Sequence, residues 1–325
     1  MSSISRRRLL IGAAAGTAAA AVGYSRVWPL LRQPRARVTT LKAASYDIDL
    51  VDLLVRAVGE YPRTVARAKG ARVVLKPNLV EWDPKRPINT DPRLVAAVAE
   101  VFRHFGASEV VVAEGPGHRR DSELIVEQSG LRDVLDQLRL AFVDLNMDTP
   151  RRTSLPTNYT GLGHLELART ATTADLLVSL PKMKTHHWAG ATLSMKNLFG
   201  IVPGGVYGWP KNPLHWAGIE QSILDIWAAV RPHFAIVDGI VAMDGDGPLR
   251  GDPVAMGTLV LGEQLPAIDA TCTRLMKFAP ERMEYLAVAT RYGGTVSASR
   301  IDIEGDVITP YDFKVRPHLQ HLKAG

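Results

Sequence analysis

Between Leu180 and Gly218 the chain carries four lysines and three histidines, with no aspartate or glutamate. The first part of this stretch, LPKMKTHHWAGATLSMKNLFGIVPGG over residues 180–205, sets Lys182, Lys184, Lys196, His186 and His187 among apolar residues and glycines. A segment holding one sign of charge calls for an anionic ligand, or for carboxylates brought from elsewhere in the fold. A basic surface loop is the plain alternative. Against it stand the adjacent histidines, Trp188 and the repeated glycines, which are costly in a solvated loop because glycine loses the most backbone entropy on ordering. The segment reads as the lining of a site.

The residue types define the chemistry available. Lys182 and Lys184 alternate around Met183, so in extended backbone both point to one side and His186 follows them. His186 and His187, being adjacent, face opposite ways on a strand and share one ligand only at a turn. A helix around 191–199 would place Ala191, Met195 and Phe199 on an apolar stripe, leaving Lys196 and Asn197 off the core and facing a crevice. A lysine desolvated among other cations has a lowered pKa and serves as base, nucleophile or anion clamp. His186 or His187 would act as acid or base. Lys184, His186 and Lys196 are the expected catalytic groups. Histidine with carboxylate also suits a divalent metal, and His186, Asp238 and Asp244 are the expected ligands, with His187, His215 and Asp246 nearby in type. No H-E-x-x-H occurs, AMDGDGP lacks a full calcium-loop pattern, and DGDG reads equally as a tight turn. The absence of G-x-S-x-G disfavours a serine hydrolase.

Elements must position these groups. From Arg72 short β-branched runs alternate with helical stretches: ARVVLK, DPRLVAAVAEVFRHFG, SEVVVAE, DSELIVEQSGLRDVLDQL and LAFVDLN. Asp91-Pro92 and Asp121 begin helices, and Gly106 ends one. The second half continues with ADLLVSLPK, a helix near 214–229, strands FAIVDG and MGTLVLG, helices near 267–278 and 281–290, and IDIEG. A further helix near 49–59 packs beside the first strand. Apolar strands separated by amphipathic helices give an α/β fold, a mostly parallel or mixed sheet with helices on both faces in one large domain, its strand order left open. Ligands of open parallel sheets lie beyond the carboxyl ends of strands. Lys76, Asn78, Glu114, Lys182, Lys184 and Asp238 all follow apolar runs; Lys76, Asn78, Glu114 and Lys182, with His187, Asn197 and His215, make up the expected ligand-binding set. Lys76-Pro77-Asn78 reads equally as a strand-ending turn, and the loop 114–121 is a weak phosphate signal, being neither G-x-G-x-x-G nor a Walker loop.

The motifs PKMKTHH and MKNLFGIVPG, together with LKPNLV (75–80), TDP (90–92), VVVAEGPG (110–117) and IVDGIVAMDGDGP (236–248), resemble the domain-of-unknown-function family DUF362. The likeness spans roughly residues 70–305. It implies a fold and a set of positions, and no reaction. Some members of that family are joined to iron–sulfur modules; this chain departs from them, since its single cysteine, Cys272, excludes a four-cysteine cluster and an internal disulfide. No iron–sulfur cluster is expected, and Cys272 reads as a buried structural thiol.

The N-terminus, SRRRLLIGAAAGTAAAAVG, resembles a twin-arginine export signal, its Ala/Gly-rich core being only weakly apolar. Residues 1–37 are therefore read as signal, or retained membrane anchor, plus an Arg/Pro-rich linker, and 38–325 as the domain. The expected location is periplasmic or otherwise outside the cytoplasm. Export in the folded state favours a bound cofactor or metal. The net charge is +6, but Arg6, Arg7, Arg8, Arg26, Arg32, Arg35 and Arg37 lie in that first segment. The domain itself is close to neutral, which disfavours nucleic acid as partner. Two readings follow: an exported enzyme whose Lys/His crevice binds an anionic small molecule, or a non-catalytic exported protein that holds a ligand or metal centre for a partner.

Overall fold

RVVLKP, EVVVAE and LLVSL form strands buried on both faces, as parallel strands covered by helices require. A computed structural model describes residues 33–117 and 121–324. The strands are β1 (Ala36–Lys42), β2 (Arg72–Pro77), β3 (Glu109–Glu114), β4 (Ala141–Asp144), β5 (Pro150–Ser154), β6 (His164–Ala168), β7 (Leu176–Leu180), β8 (Lys182–His186), β9 (Gly190–Thr192), β10 (Phe234–Asp244), β11 (Asp252–Val254), β12 (Thr258–Gly262) and β13 (Ile301–Gly305). Eleven of them make one mixed sheet, ordered β13-β1-β12-β10-β7-β2-β3-β4, with β8 and β11 paired to β10 and β9 paired to β8; β5 and β6 form a separate hairpin. The run β10-β7-β2-β3-β4 is parallel throughout, and β12 is antiparallel to both its neighbours.

Alternation along the strands divides the core in two. Val73, Leu75, Leu176, Val178, Ile236 and Leu261 face one layer, which contains the helices Leu50–Gly59, Pro92–His104 and Leu131–Leu138. Val74, Leu177, Val237 and Val260 face the other, which contains Ile219–Val230, Leu265–Leu275 and Glu284–Ala289. Asp49, Asp91 and Asp121 each accept a backbone N–H at a helix start. The architecture is the expected α/β sheet with helices on both faces.

Several local expectations differ from what the chain adopts. The stretch 191–199 is no continuous helix: Gly190–Thr192 pairs with β8 as a strand, and only Ser194–Asn197 and a 3-10 turn, Leu198–Ile201, are helical. The helix expected near 214–229 breaks at Gly218 into Asn212–Trp216 and Ile219–Val230. Residues 33–37 are built into the fold: Ala36 begins β1, and the buried Gln33 side chain accepts the N–H groups of Val296 and Ser297. The export-signal motif and residues 118–120 of the 114–121 loop lie outside the described residues. Among the described residues no helix is long and apolar enough to cross a membrane.

Candidate functional site

Strands β2, β3 and β7 end together, and β8 continues β7 beyond Pro181 along the second half of β10. A cavity of about 340 Å³ opens at this edge, and Asn78, Glu114, His186, His187, Lys196, Asn197 and His215 line it. Those seven come from five separate places in the chain: the ends of β2, β3 and β8, and the short helices Ser194–Asn197 and Asn212–Trp216. Lys211 lines it too and was missed by the sequence reading. Its signal was available, since it is the fourth lysine of the carboxylate-free stretch.

The floor is a closed polar network. Lys76 and Glu114, both buried, pair at 2.7 Å. Lys76 also donates to Asn197 Oδ1 at 3.3 Å, while Asn197 Nδ2 donates to the Lys76 carbonyl and to Ser179 Oγ, both at 3.0 Å. Gly200 lies so close that a Cβ there would sit 2.6 Å from Lys76 Nζ and collide with Glu114, which explains the glycine in NLFG. Beneath the helix Ser194–Asn197, Asp269 accepts the N–H groups of Ser194 (2.8 Å) and Met195 (3.0 Å). Burial pushes the Asp269 carboxyl up to about 7. Asp269 thus caps the helix that carries Lys196 and Asn197, a role no spacing rule connects to a residue 75 positions away.

The walls carry the cations. Burial, reinforced by the Lys76 charge, pushes Lys196 down to about 8. Burial pushes Lys211 down to about 7, although Glu114 opposes the shift. Lys211 Nζ donates to the carbonyls of Gly115 and Phe199, each at 3.2 Å, and its backbone is left-handed at φ 67°. Lys196 Nζ lies 4.4 Å from the Phe199 ring centre. The Asn78 Oδ1 atom is buried and has no hydrogen-bond partner among the described residues.

His186 and His187 do not face opposite ways. Strand β8 stops at His186, residues 187–189 turn, and β9 returns with Gly190 opposite His186. The imidazoles stack with centroids 4.9 Å apart, and Trp188 and His215 extend the aromatic rim. Their tautomers are set by the backbone. His186 Nδ1 accepts from Trp188 N–H and Ala189 N–H (3.2 Å each), so its proton sits on Nε2. His187 Nδ1 lies 3.1 Å from the Gly247 carbonyl, which only accepts, so His187 carries its proton on Nδ1 and an acceptor lone pair on Nε2. Burial, with the Lys196 charge adding, holds His186 well below the ordinary imidazole range; burial also lowers His187.

Five expected residues fall outside the lining: Lys76, in the network beneath it, and Lys182, Lys184, Asp238 and Asp244. Lys182 is buried at the start of β8, where its Nζ meets Asp238 at 2.6 Å and Tyr46 OH at 2.9 Å. Lys184 donates to the Ile88 carbonyl at 2.6 Å, and burial, with Lys196 and Lys182 adding, lowers its pKa strongly. Asp238 is not at a strand end, because pairing with β8 and β11 prolongs β10 to Asp244. The metal set does not form: His186 is in the cavity, Asp238 is engaged by Lys182, Tyr46 and Asp91 N–H, and Asp244 accepts Lys314 N–H. No group of three His, Cys, Asp or Glu suited to a metal occurs among the described residues.

The family model for a domain of unknown function, DUF362, matches residues 73–274. The chain belongs to the DUF362 family. A thylakoid-associated protein of Synechocystis is 30% identical to it over 241 residues, 71% of each chain. Two solved structures are similar to this DUF362 protein. The lactate racemase apoprotein of Thermoanaerobacterium thermosaccharolyticum has a TM-score of 0.48 at 17% identity, and a Thermotoga maritima protein has 0.39 at 12%. Each match covers 75% of this chain, which spans 58% of the solved chain's length. The family match holds every residue of the cavity lining, from Asn78 to Leu249.

Proposed function

We propose that this DUF362 protein is exported and binds an anionic small molecule, a carboxylate or phosphate, in the cavity at the strand ends. One observation carries the reading: two desolvated lysines, Lys196 and Lys211, line one hollow with no carboxylate partner of their own among the described residues, because Glu114 is taken by Lys76. An anion entering there meets positive charge in a low-dielectric pocket, where the attraction is strongest. The ligand also offers a hydrogen-bond donor, which Asn78 Oδ1 lacks at present. Lys211 takes the charge, His186 donates through Nε2–H, and His187 Nε2 accepts a proton.

Mass spectrometry of protein purified from its own host, under native conditions, is expected to find a bound small anion that Lys211→Ala loses. Empty protein that binds neither inorganic phosphate nor small carboxylates would end the reading. Turnover of the bound species separates an enzyme from a non-catalytic carrier; the stacked histidines of opposite tautomer favour the enzyme, since they supply one donor and one acceptor side by side. Export rests on the Arg6-Arg7 motif. Replacing both by lysine is expected to leave the precursor in the cytoplasm. The thylakoid association of the Synechocystis relative supports a membrane-proximal location.

A further inference from the structure

Five lysines gather at this edge of the sheet, and four have a fixed acceptor. Lys76 and Lys182 sit on carboxylates, Lys184 on the Ile88 carbonyl, and Lys211 on two carbonyls. Lys196 differs. It is half-buried, it opens onto the cavity, and its Nζ makes no hydrogen bond among the described residues, having only the face of Phe199 beside it. A hydrogen-bonded ammonium is held in its charged form, whereas an amine with no such bond, desolvated by burial and close to the Lys76 charge, gives up its proton more readily.

We propose that Lys196 is an amine nucleophile that forms an imine with the carbonyl carbon of a small anionic aldehyde or ketone, whose negative group rests on Lys211. The inference depends on the anion-binding reading and adds the substrate class. The neutral Nζ lone pair adds to the carbonyl carbon, and the C=O π pair moves to oxygen, which takes a proton. The nitrogen lone pair of this carbinolamine then expels that oxygen as water while the second N–H proton is released, leaving C=N. Amine and carbonyl become imine and water, with no oxidant or reductant. The two protons that the oxygen takes are the two that the nitrogen gives up, and neutral His186, with its proton on Nε2, offers the oxygen a hydrogen bond in the same lining. Geometry leads here, and acidity agrees: with Lys196 pushed down to about 8, roughly a tenth of it is neutral at pH 7, against less than about a thousandth of an ordinary lysine.

The test uses glyoxylate with sodium cyanoborohydride, which reduces an imine to a stable secondary amine, followed by peptide mapping. At saturating glyoxylate the adduct is expected on Lys196 at least about tenfold faster than on the exposed Lys69 and Lys277. Its rate levels off above pH about 8, while theirs keeps rising. Lys196→Arg is expected to abolish this adduct, and glyoxylate binding to the wild-type protein is read separately by calorimetry. An adduct no faster than that on Lys69 overturns the proposal, and this comparison needs no variant. Glyoxylate binding to the wild-type protein without a Lys196 adduct removes the imine and leaves the anion site. Loss of binding of glyoxylate and inorganic phosphate alike removes both.

Discussion

At the scale of single residues, the candidate site depends on charges that are paired in the floor and, among the described residues, left without a carboxylate in the walls. Lys76 and Glu114 are both buried, so breaking the pair strands one charge in a dry interior. Glu114→Gln is expected to lower stability by about 3–5 kcal/mol in urea unfolding, and replacing both partners by apolar residues to restore much of that loss. Lys211, pushed down to about 7, titrates where anion binding is measured. An anion favours its ammonium form, so binding takes up a proton. Affinity is expected to be flat below pH 7 and to fall by up to about tenfold per pH unit above it. Calorimetry in buffers of different ionisation enthalpy reads the proton uptake directly, and equal heats in all buffers would show that Lys211 is not the clamp.

At the scale of elements, the decisive device is the short helix Ser194–Asn197, which is too brief to be stable by its own propensity. Asp269, from the helix Leu265–Leu275, holds its N-terminus by accepting two backbone N–H groups in a fully buried place. Asp269→Ala leaves those donors without partners and is expected to cost about 2–3 kcal/mol. It is also expected to weaken anion binding, because Lys196 and Asn197 ride on this turn, with Asp269→Asn falling between wild type and alanine. Wild-type affinity in Asp269→Ala would show that the helix is held some other way. Asp269 is a positioning residue, so its replacement should leave the pH dependence set by Lys211 unchanged.

For the whole molecule, the same burial that shapes the site sets a pH dependence of stability. Lys196 and Lys211 have folded pKa values of about 8 and about 7, below the ordinary lysine range of the unfolded chain. Between those values and the ordinary range the unfolded chain binds more protons, so their contribution to stability rises with pH from about 7 upward. Asp269 and Glu220, each raised by burial to about 7, act in the opposite sense: the folded state binds more protons below that value, and their contribution falls as pH rises toward it. The four groups together predict a shallow minimum near pH 7. Thermal unfolding across pH 5–10 should show it, and Lys211→Met should flatten the limb above neutrality. An unchanged upper limb would assign that rise to other groups.

The sequence alone determined the sheet class, because β-branched runs and amphipathic helices alternate with unmistakable period, and it singled out the region of the candidate site, because a stretch with one sign of charge among glycines is unusual for a surface loop. Seven of the expected residues meet at one cavity. Which lysine does what was decided by tertiary structure. Lys182 and Lys184 read like Lys196 in the chain, yet β8 runs along β10 and buries the first against Asp238 and the second against Ile88. Spacing reports which side of a strand a residue occupies, but not which neighbour waits there. His186 and His187 make the same point, since a turn after β8, fixed by pairing with β9, stacks rings that strand geometry would separate. Asp269 and Gly200 act through contacts between distant segments, and only the folded chain brings those segments together.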